Sequence, residues 1–137
     1  MTNKLLFVTT KKINSIALVS CKENLIEYLD GKITSKEILI KIDKLLRKSN
    51  LKISNIKEIL VDLGPGSYTG IKIGLSVIKA INFEKNIKIF TSNSFEIMLS
   101  KYKTAKYVLI DAKLDEFYCY DVYKKEIMIY QSLKNML

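Results

Sequence analysis

Hydrophobic and polar positions follow one another along the chain in a pattern that predicts a mixed α/β protein. Short runs rich in branched and aromatic side chains are predicted strands, over residues 5–10, 14–20, 23–29, 56–63, 88–92, 106–112, 116–123 and 126–131. Runs with apolar residues at helical spacing are predicted helices, over residues 34–48, 70–82 and 93–102. Tight polar turns join the first three strands into an antiparallel meander. This order predicts an α/β fold with a mixed sheet flanked by helices.

The first predicted helix carries signals for its start, its buried face and its end. Thr34 and Glu37 are spaced as a capping box, in which Thr34 caps the helix and Glu37 reaches back to it. One apolar stripe is predicted to face the core, formed by Ile38, Leu39, Ile42, Leu45 and Leu46. Ile40 lies on the opposite side of the helix, and Ser49-Asn50 ends it.

The second predicted helix is apolar around most of its circumference. Its polar residues Lys72, Ser76 and Lys79 form one narrow stripe, and apolar residues occupy most other positions, namely Ile71, Ile73, Leu75, Val77, Ile78 and Ile81. A helix that meets water along only one edge is buried on two sides. One side faces the protein's own sheet. The other side is covered either by the first helix or by another subunit.

The segment LVDLGPGSYTGIKIGL, residues 60–75, joins a predicted strand to this second helix through glycines at 64, 66 and 70. Neither common phosphate motif fits, because no Gly-Lys-Ser/Thr follows at Walker A spacing and the glycines are one residue too far apart for GxGxxG. Two interpretations stay open: an anion site at a helix N-terminus, or a tight turn that allows close packing. The residues of the possible nucleotide or anion loop are Gly64, Gly66, Ser67, Thr69 and Gly70.

The composition excludes several kinds of site. The chain has no histidine, which removes the commonest general base and metal ligand, and no metal or cofactor is predicted. Cys21 and Cys119 are isolated and are interpreted as reduced thiols.

The net charge of +9 comes almost entirely from scattered lysines, which favours a solvated surface over a dedicated nucleic-acid site. No apolar run reaches the length of a membrane span, and a cytoplasmic protein is expected.

Three separated motifs resemble those of the bacterial TsaB (YeaZ) family. GPGSYTGIKIGL (64–75) is similar to the signature GPGSFTGxRIGL, and TSNSFEIM (91–98) and IDAKLDEFYCY (110–120, family pattern DARxxEVY) follow in the family's order. The resemblance implies an actin-like (ASKHA, ribonuclease H-like) N-terminal lobe over residues 1–103. It also implies a β-rich remnant over 104–137, as a vestigial second lobe. Thr9-Thr10 stands where the family has a DTS-like turn, so that turn's aspartate is absent.

The resemblance also implies a role as a non-catalytic subunit of the complex that forms N6-threonylcarbamoyladenosine at position 37 of tRNA. Such subunits dock on a catalytic TsaD-type partner through the helices that match 34–48 and 70–82. They act with a TsaE-type ATPase and meet tRNA through the complex. The predicted contact residues are Ile40, Lys44, Ile71, Lys72, Leu75, Ile78 and Lys79. The alternatives are a homodimer through the same helices, and a small ASKHA-type nucleotide-binding enzyme or glycoprotease-like protein acting alone.

Overall fold

The computed structural model describes residues 2–130, and the predicted elements occur there in the predicted order. The strands are β1 (Asn3–Val8), β2 (Asn14–Val19), β3 (Asn24–Leu29), β4 (Ile56–Asp62), β5 (Lys88–Ser92), β6 (Tyr107–Lys113), β7 (Glu116–Asp121) and β8 (Glu126–Tyr130). The α-helices are α1 (Ser35–Lys48), α2 (Tyr68–Asn82) and α3 (Ser94–Lys101), and a turn of 3-10 helix, Ile53–Asn55, precedes β4. Residue 131, the predicted end of the last strand, lies outside the described residues.

Five strands form a mixed sheet in the order β3-β2-β1-β4-β5. β1, β2 and β3 pair antiparallel, which confirms the predicted meander. β4 pairs parallel with β1 on one side and with β5 on the other. A strand between two parallel neighbours is expected to be largely apolar, which explains the composition of residues 56–63.

α1 and α2 cover one face of this sheet and enclose the main core. α1 packs on β2 and β3, α2 packs on β4, and the two helices contact each other. The buried apolar side chains of this core are Leu5, Phe7, Ile16, Leu18, Leu29, Ile38, Ile42, Leu45, Leu46, Ile56, Ile59, Val61, Val77, Ile78, Ile81 and Ile87. The predicted mixed sheet flanked by helices is therefore confirmed. None of the helices within residues 2–130 is long and apolar enough to cross a bilayer.

Two predictions for α1 need correction. Thr34 Oγ1 accepts a hydrogen bond from the Glu37 amide at 3.2 Å, as predicted, but the Glu37 carboxylate accepts one from the Asp30 amide at 3.1 Å. The reciprocal half of the capping box is therefore replaced by a bond that ties the helix to the end of β3. Leu39, predicted to lie in the core stripe, is 48% exposed. It lies beside Ile40 on the outer surface, because the core face of α1 is centred on Ile42 and Leu45.

The face of the sheet opposite α1 and α2 carries one apolar row that crosses all five strands. The pairing registers align Ile26, Ala17, Leu6, Leu60 and Phe90 along this row. The row is half-buried in its centre and exposed at both ends. On one side it is bordered by the ion pair between Lys4 Nζ and Glu58 Oε2, 2.7 Å apart.

The last three strands form a separate antiparallel sheet in the order β6-β7-β8, as the predicted hairpins require. Phe95 of α3 packs on this sheet with Val108 and Ile110, and its ring lies 5.3 Å from that of Tyr120. α3 therefore belongs to the packing of the second sheet, although the chain enters it directly from β5. The domain boundary at residue 103 stays a prediction.

Candidate functional site

The glycines between β4 and α2 allow this segment to pack directly on the turn that follows β1. A Cβ added at Gly66 would lie 2.2 Å from the carbonyl oxygen of Thr10, and one added at Gly70 would lie 1.8 Å from that of Thr9. A Cβ at Gly74 would lie 2.7 Å from Thr9 Oγ1. Real Cβ atoms do not approach other atoms so closely, so each position requires glycine. Of the two interpretations of the segment, close packing inside the chain accounts for these glycines.

Ser67 and the Gly70 amide of this loop bind within the chain. The Ser67 amide donates to the Thr10 carbonyl at 2.8 Å, which fixes the loop on the β1–β2 turn. Ser67 Oγ accepts from the Gly70 amide at 3.1 Å, so Ser67 is the N-cap of α2. Gly64 has a positive φ of 92°, a conformation that side chains disfavour. Thr69 is exposed on the first turn of the helix. α2 begins two residues earlier than predicted because the cap is Ser67.

A buried carboxylate lies directly beside the loop, and sequence reasoning missed it. Asp62, the last residue of β4, is 1% exposed. It accepts hydrogen bonds from Thr10 Oγ1, from Ser94 Oγ at 2.9 Å to each carboxylate oxygen, and from the Gly64 amide at 2.9 Å. The donors come from three segments that are far apart in the sequence. The one available signal was an acidic residue that follows the apolar residues 59–61 at the end of the strand.

Lys11 adds a positive charge to this neighbourhood. Its Nζ atom is buried and has no hydrogen-bond partner among the described residues. Burial lowers the pKa of Lys11, and the negative charge of Asp62 opposes that shift. Within residues 2–130, no three side chains of the metal-binding types lie close enough together to hold an ion.

The outer surfaces of α1 and α2 hold most of the predicted contact residues. Lys72 and Lys79 are exposed on α2, and Lys72 Nζ lies 5.1 Å from the ring centre of Tyr68. Ile71 and Leu75 are half-buried, with Leu75 packed at the margin of the core. Ile40 is 55% exposed on α1. These side chains lie at exposed or half-buried positions of α1 and α2, as does the exposed Leu39 of α1.

Ile78 does not belong to that surface. Its side chain is 1% exposed and lies inside the main core, so the prediction that it contacts a partner is corrected. The apolar residues of α2 cover most of its circumference, and periodicity alone did not distinguish the sheet-facing stripe from the outer one. Gly70, Gly74 and Ile78 share the sheet-facing side.

Lys44, a predicted contact residue, is held by an acidic side chain of its own chain. Its Nζ lies 2.8 Å from Glu27 Oε2, and Lys48 Nζ lies 2.9 Å from Glu27 Oε1. Lys41 Nζ is 3.5 Å from the same carboxylate. The hydrogen bonds from Lys44 and Lys48 lower the pKa of Glu27 to about 2. The main contact of Lys44 is therefore within the chain, where it links α1 to β3.

The comparisons with known proteins agree on one family. The family model described as "TsaD: tRNA N6-adenosine threonylcarbamoyltransferase" matches residues 32–133. The tRNA threonylcarbamoyladenosine biosynthesis protein TsaB of Haemophilus influenzae is 26% identical over 125 residues, which cover 87% of this chain and 53% of that protein. The chain thus spans about half the length of this curated relative.

Two solved structures share the fold. YeaZ from Pseudomonas aeruginosa superposes with a TM-score of 0.75 at 24% identity, over 96% of this chain and 66% of its own. A protein described as similar to peptidase YeaZ from Pseudomonas aeruginosa gives 0.76 at 24% identity, over 96% and 65%. This likeness shows that the chain shares the YeaZ fold, as the family resemblance implied. Because the family model covers most of the chain and agrees with the curated relative, the chain belongs to the TsaD/TsaB (YeaZ) family.

Proposed function

We propose that this chain takes part in threonylcarbamoyladenosine biosynthesis on tRNA as a non-catalytic subunit. In this proposal the outer surfaces of α1 and α2 dock on a TsaD-type catalytic subunit. Contact with a TsaE-type ATPase and with tRNA is made through that complex. The relative in Haemophilus influenzae is named for this pathway, which supports the pathway assignment.

The observation that carries the docking proposal is the exposure of apolar side chains on the helical layer. Leu39 and Ile40 are adjacent on α1 and each has about half of its surface in water. Leu75 and Ile71 add half-buried apolar area on α2. Grouped apolar side chains on a surface favour a protein partner, because water contact with such a patch costs free energy that association recovers.

The contacts of the glycine loop support a packing role for this segment. The glycines at 66, 70 and 74 receive Thr9 and Thr10 of the same chain at distances that leave no room for a side chain. The Ser67 and Gly70 amides donate to protein oxygens. The loop therefore places α2 on the sheet and fixes which side of the helix faces outward.

The test is association with the TsaD-type protein of the same organism, measured by size-exclusion chromatography with light scattering. Ile40→Glu is the interface variant, because this side chain is exposed and its replacement leaves the core intact. We expect a 1:1 complex with the unaltered chain and a loss of at least about 100-fold in affinity with Ile40→Glu, since a buried unpaired charge costs several kcal/mol.

The matched control is Ile127→Glu on β8, where the isoleucine is 60% exposed in the second sheet. This variant should bind as the unaltered chain does. Ile78→Glu is unsuitable because it places a charge in the core. Equal binding by Ile40→Glu and Ile127→Glu would refute the assigned surface. The chain alone is measured in the same way. If it forms a dimer and Ile40→Glu dissociates that dimer, the same surface also joins two copies of the chain.

A further inference from the structure

The donors around Asp62 form the kind of set that binds a free anion. Two hydroxyl groups and one backbone amide converge on a single carboxylate, from the turn after β1, the glycine loop and the first residue of α3. Hydroxyl and amide donors that point into one buried position are typical of phosphate and carboxylate sites. Here the anion is a side chain of the protein itself, fixed by its place at the end of β4.

The position is also closed to water. Thr10, Asp62 and Ser94 are each no more than 3% exposed. A second anion entering beside the carboxylate would bring two like charges together in a poorly solvated place, which is strongly unfavourable. Lys11, whose buried ammonium has no hydrogen-bond partner among residues 2–130, gives the neighbourhood a positive charge that favours one anion there.

We propose that Asp62 is a built-in anion. Its carboxylate occupies the anion-binding position beside the glycine loop, and it holds the β1–β2 turn, the loop and α3 together while excluding phosphate and other free anions. This inference goes beyond the proposed function, because it concerns what the loop binds and not what the helices dock on. It predicts that removing the carboxylate converts the position into a site for small external anions.

The experiment uses the full chain with Asp62→Ala. The alanine keeps the Cβ, so formate has the size of the missing carboxylate and inorganic phosphate tests a larger anion. Urea unfolding is followed by circular dichroism as formate replaces chloride at constant ionic strength. For a formate Kd on the order of 10 mM, about 100 mM formate lowers the unfolding equilibrium constant of Asp62→Ala roughly tenfold. The unaltered chain should change less than about twofold under the same conditions.

Two further variants make the result specific to this position. Thr10→Val combined with Asp62→Ala removes one of the donors and should weaken the response to formate. Asp121→Ala removes another buried carboxylate, whose Oδ1 accepts from the Tyr123 amide at 2.9 Å and the Lys124 amide at 3.0 Å. Those amides lie in an exposed turn and can bind water instead. Asp121→Ala should therefore lack the formate response.

A response of Asp62→Ala no larger than that of the unaltered chain or of Asp121→Ala overturns the proposal. If Asp62→Ala is unfolded in chloride, the same titration is scored by recovery of helical circular dichroism. Recovery in formate supports the built-in anion, and failure to recover refutes it. Asp62→Asn, which fills the space without a charge, should fold and show no response to formate.

Discussion

Replacing Glu27 with glutamine tests the electrostatic contact between β3 and α1. Glu27 is 7% exposed, and its carboxylate lies within 3.5 Å of the ammonium groups of Lys41, Lys44 and Lys48. Hydrogen bonds from Lys44 and Lys48 lower its pKa to about 2 from an ordinary value of 4.5, against an opposing effect of burial. Glutamine keeps the shape of the side chain and removes the charge.

The sign and size of the effect follow from the pKa. Because the folded state binds the proton more weakly than the unfolded state, the ion cluster stabilises the chain fully above pH 4.5 and ceases to do so as the pH falls toward 2. The pKa shift of Glu27 alone sets an upper limit of about 3 kcal/mol on the contribution of this charge to the free energy of unfolding. The Lys44 and Lys48 side chains are 50% and 51% exposed, and water weakens such pairs, so we expect about 1–2 kcal/mol.

The assay is urea unfolding of the unaltered chain and of Glu27→Gln at pH 7, 5, 4 and 3. The stability gap between them should be constant from pH 7 to 5 and should fall to less than about half of that value by pH 3. High salt should reduce the gap at neutral pH. Glu126→Gln, at an exposed position on β8, controls for the loss of one negative charge. A gap that is independent of pH, or absent at pH 7, would refute the electrostatic reasoning.

Two further substitutions test the packing and the capping. Gly70→Ala should destabilise the chain by about 2 kcal/mol or more, because its Cβ would meet the Thr9 carbonyl. Urea unfolding measures this loss of stability. Alanine in place of glycine inside a helix usually raises stability by about 1 kcal/mol. Such a gain here would show that α2 does not touch the turn that contains Thr9. Thr34→Ala should cost about 1 kcal/mol in the same assay through the lost bond to the Glu37 amide. Thr34→Ser should retain most of that stability, and an equal loss in both variants would rule out capping as the cause.

The local elements of the fold could be predicted because each depends on residues close together in the sequence. The apolar run of β4, the cap at Thr34 and the alternation of the first three strands are readable within about ten residues. The structure confirms them with shifts of one or two residues at their ends. The family motifs were readable for the same reason, since each occupies a continuous segment.

The partners of those elements could not be predicted. Periodicity shows that α2 has apolar stripes, but only the packed sheet decided that Ile78 faces inward and that Leu39 of α1 faces water. Gly70 packs against the carbonyl group of Thr9, and these two residues are far apart in the sequence.

The sequence by itself therefore determined the strands, the helices and the family, because short-range periodicity and turn chemistry are encoded locally. Only the tertiary structure decided what the glycine loop touches and what surrounds Asp62. Thr10 and Ser94 lie 52 and 32 residues from that carboxylate in the chain. Contacts over such intervals depend on which strands become neighbours in the sheet, and the free energy of the whole core selects that order.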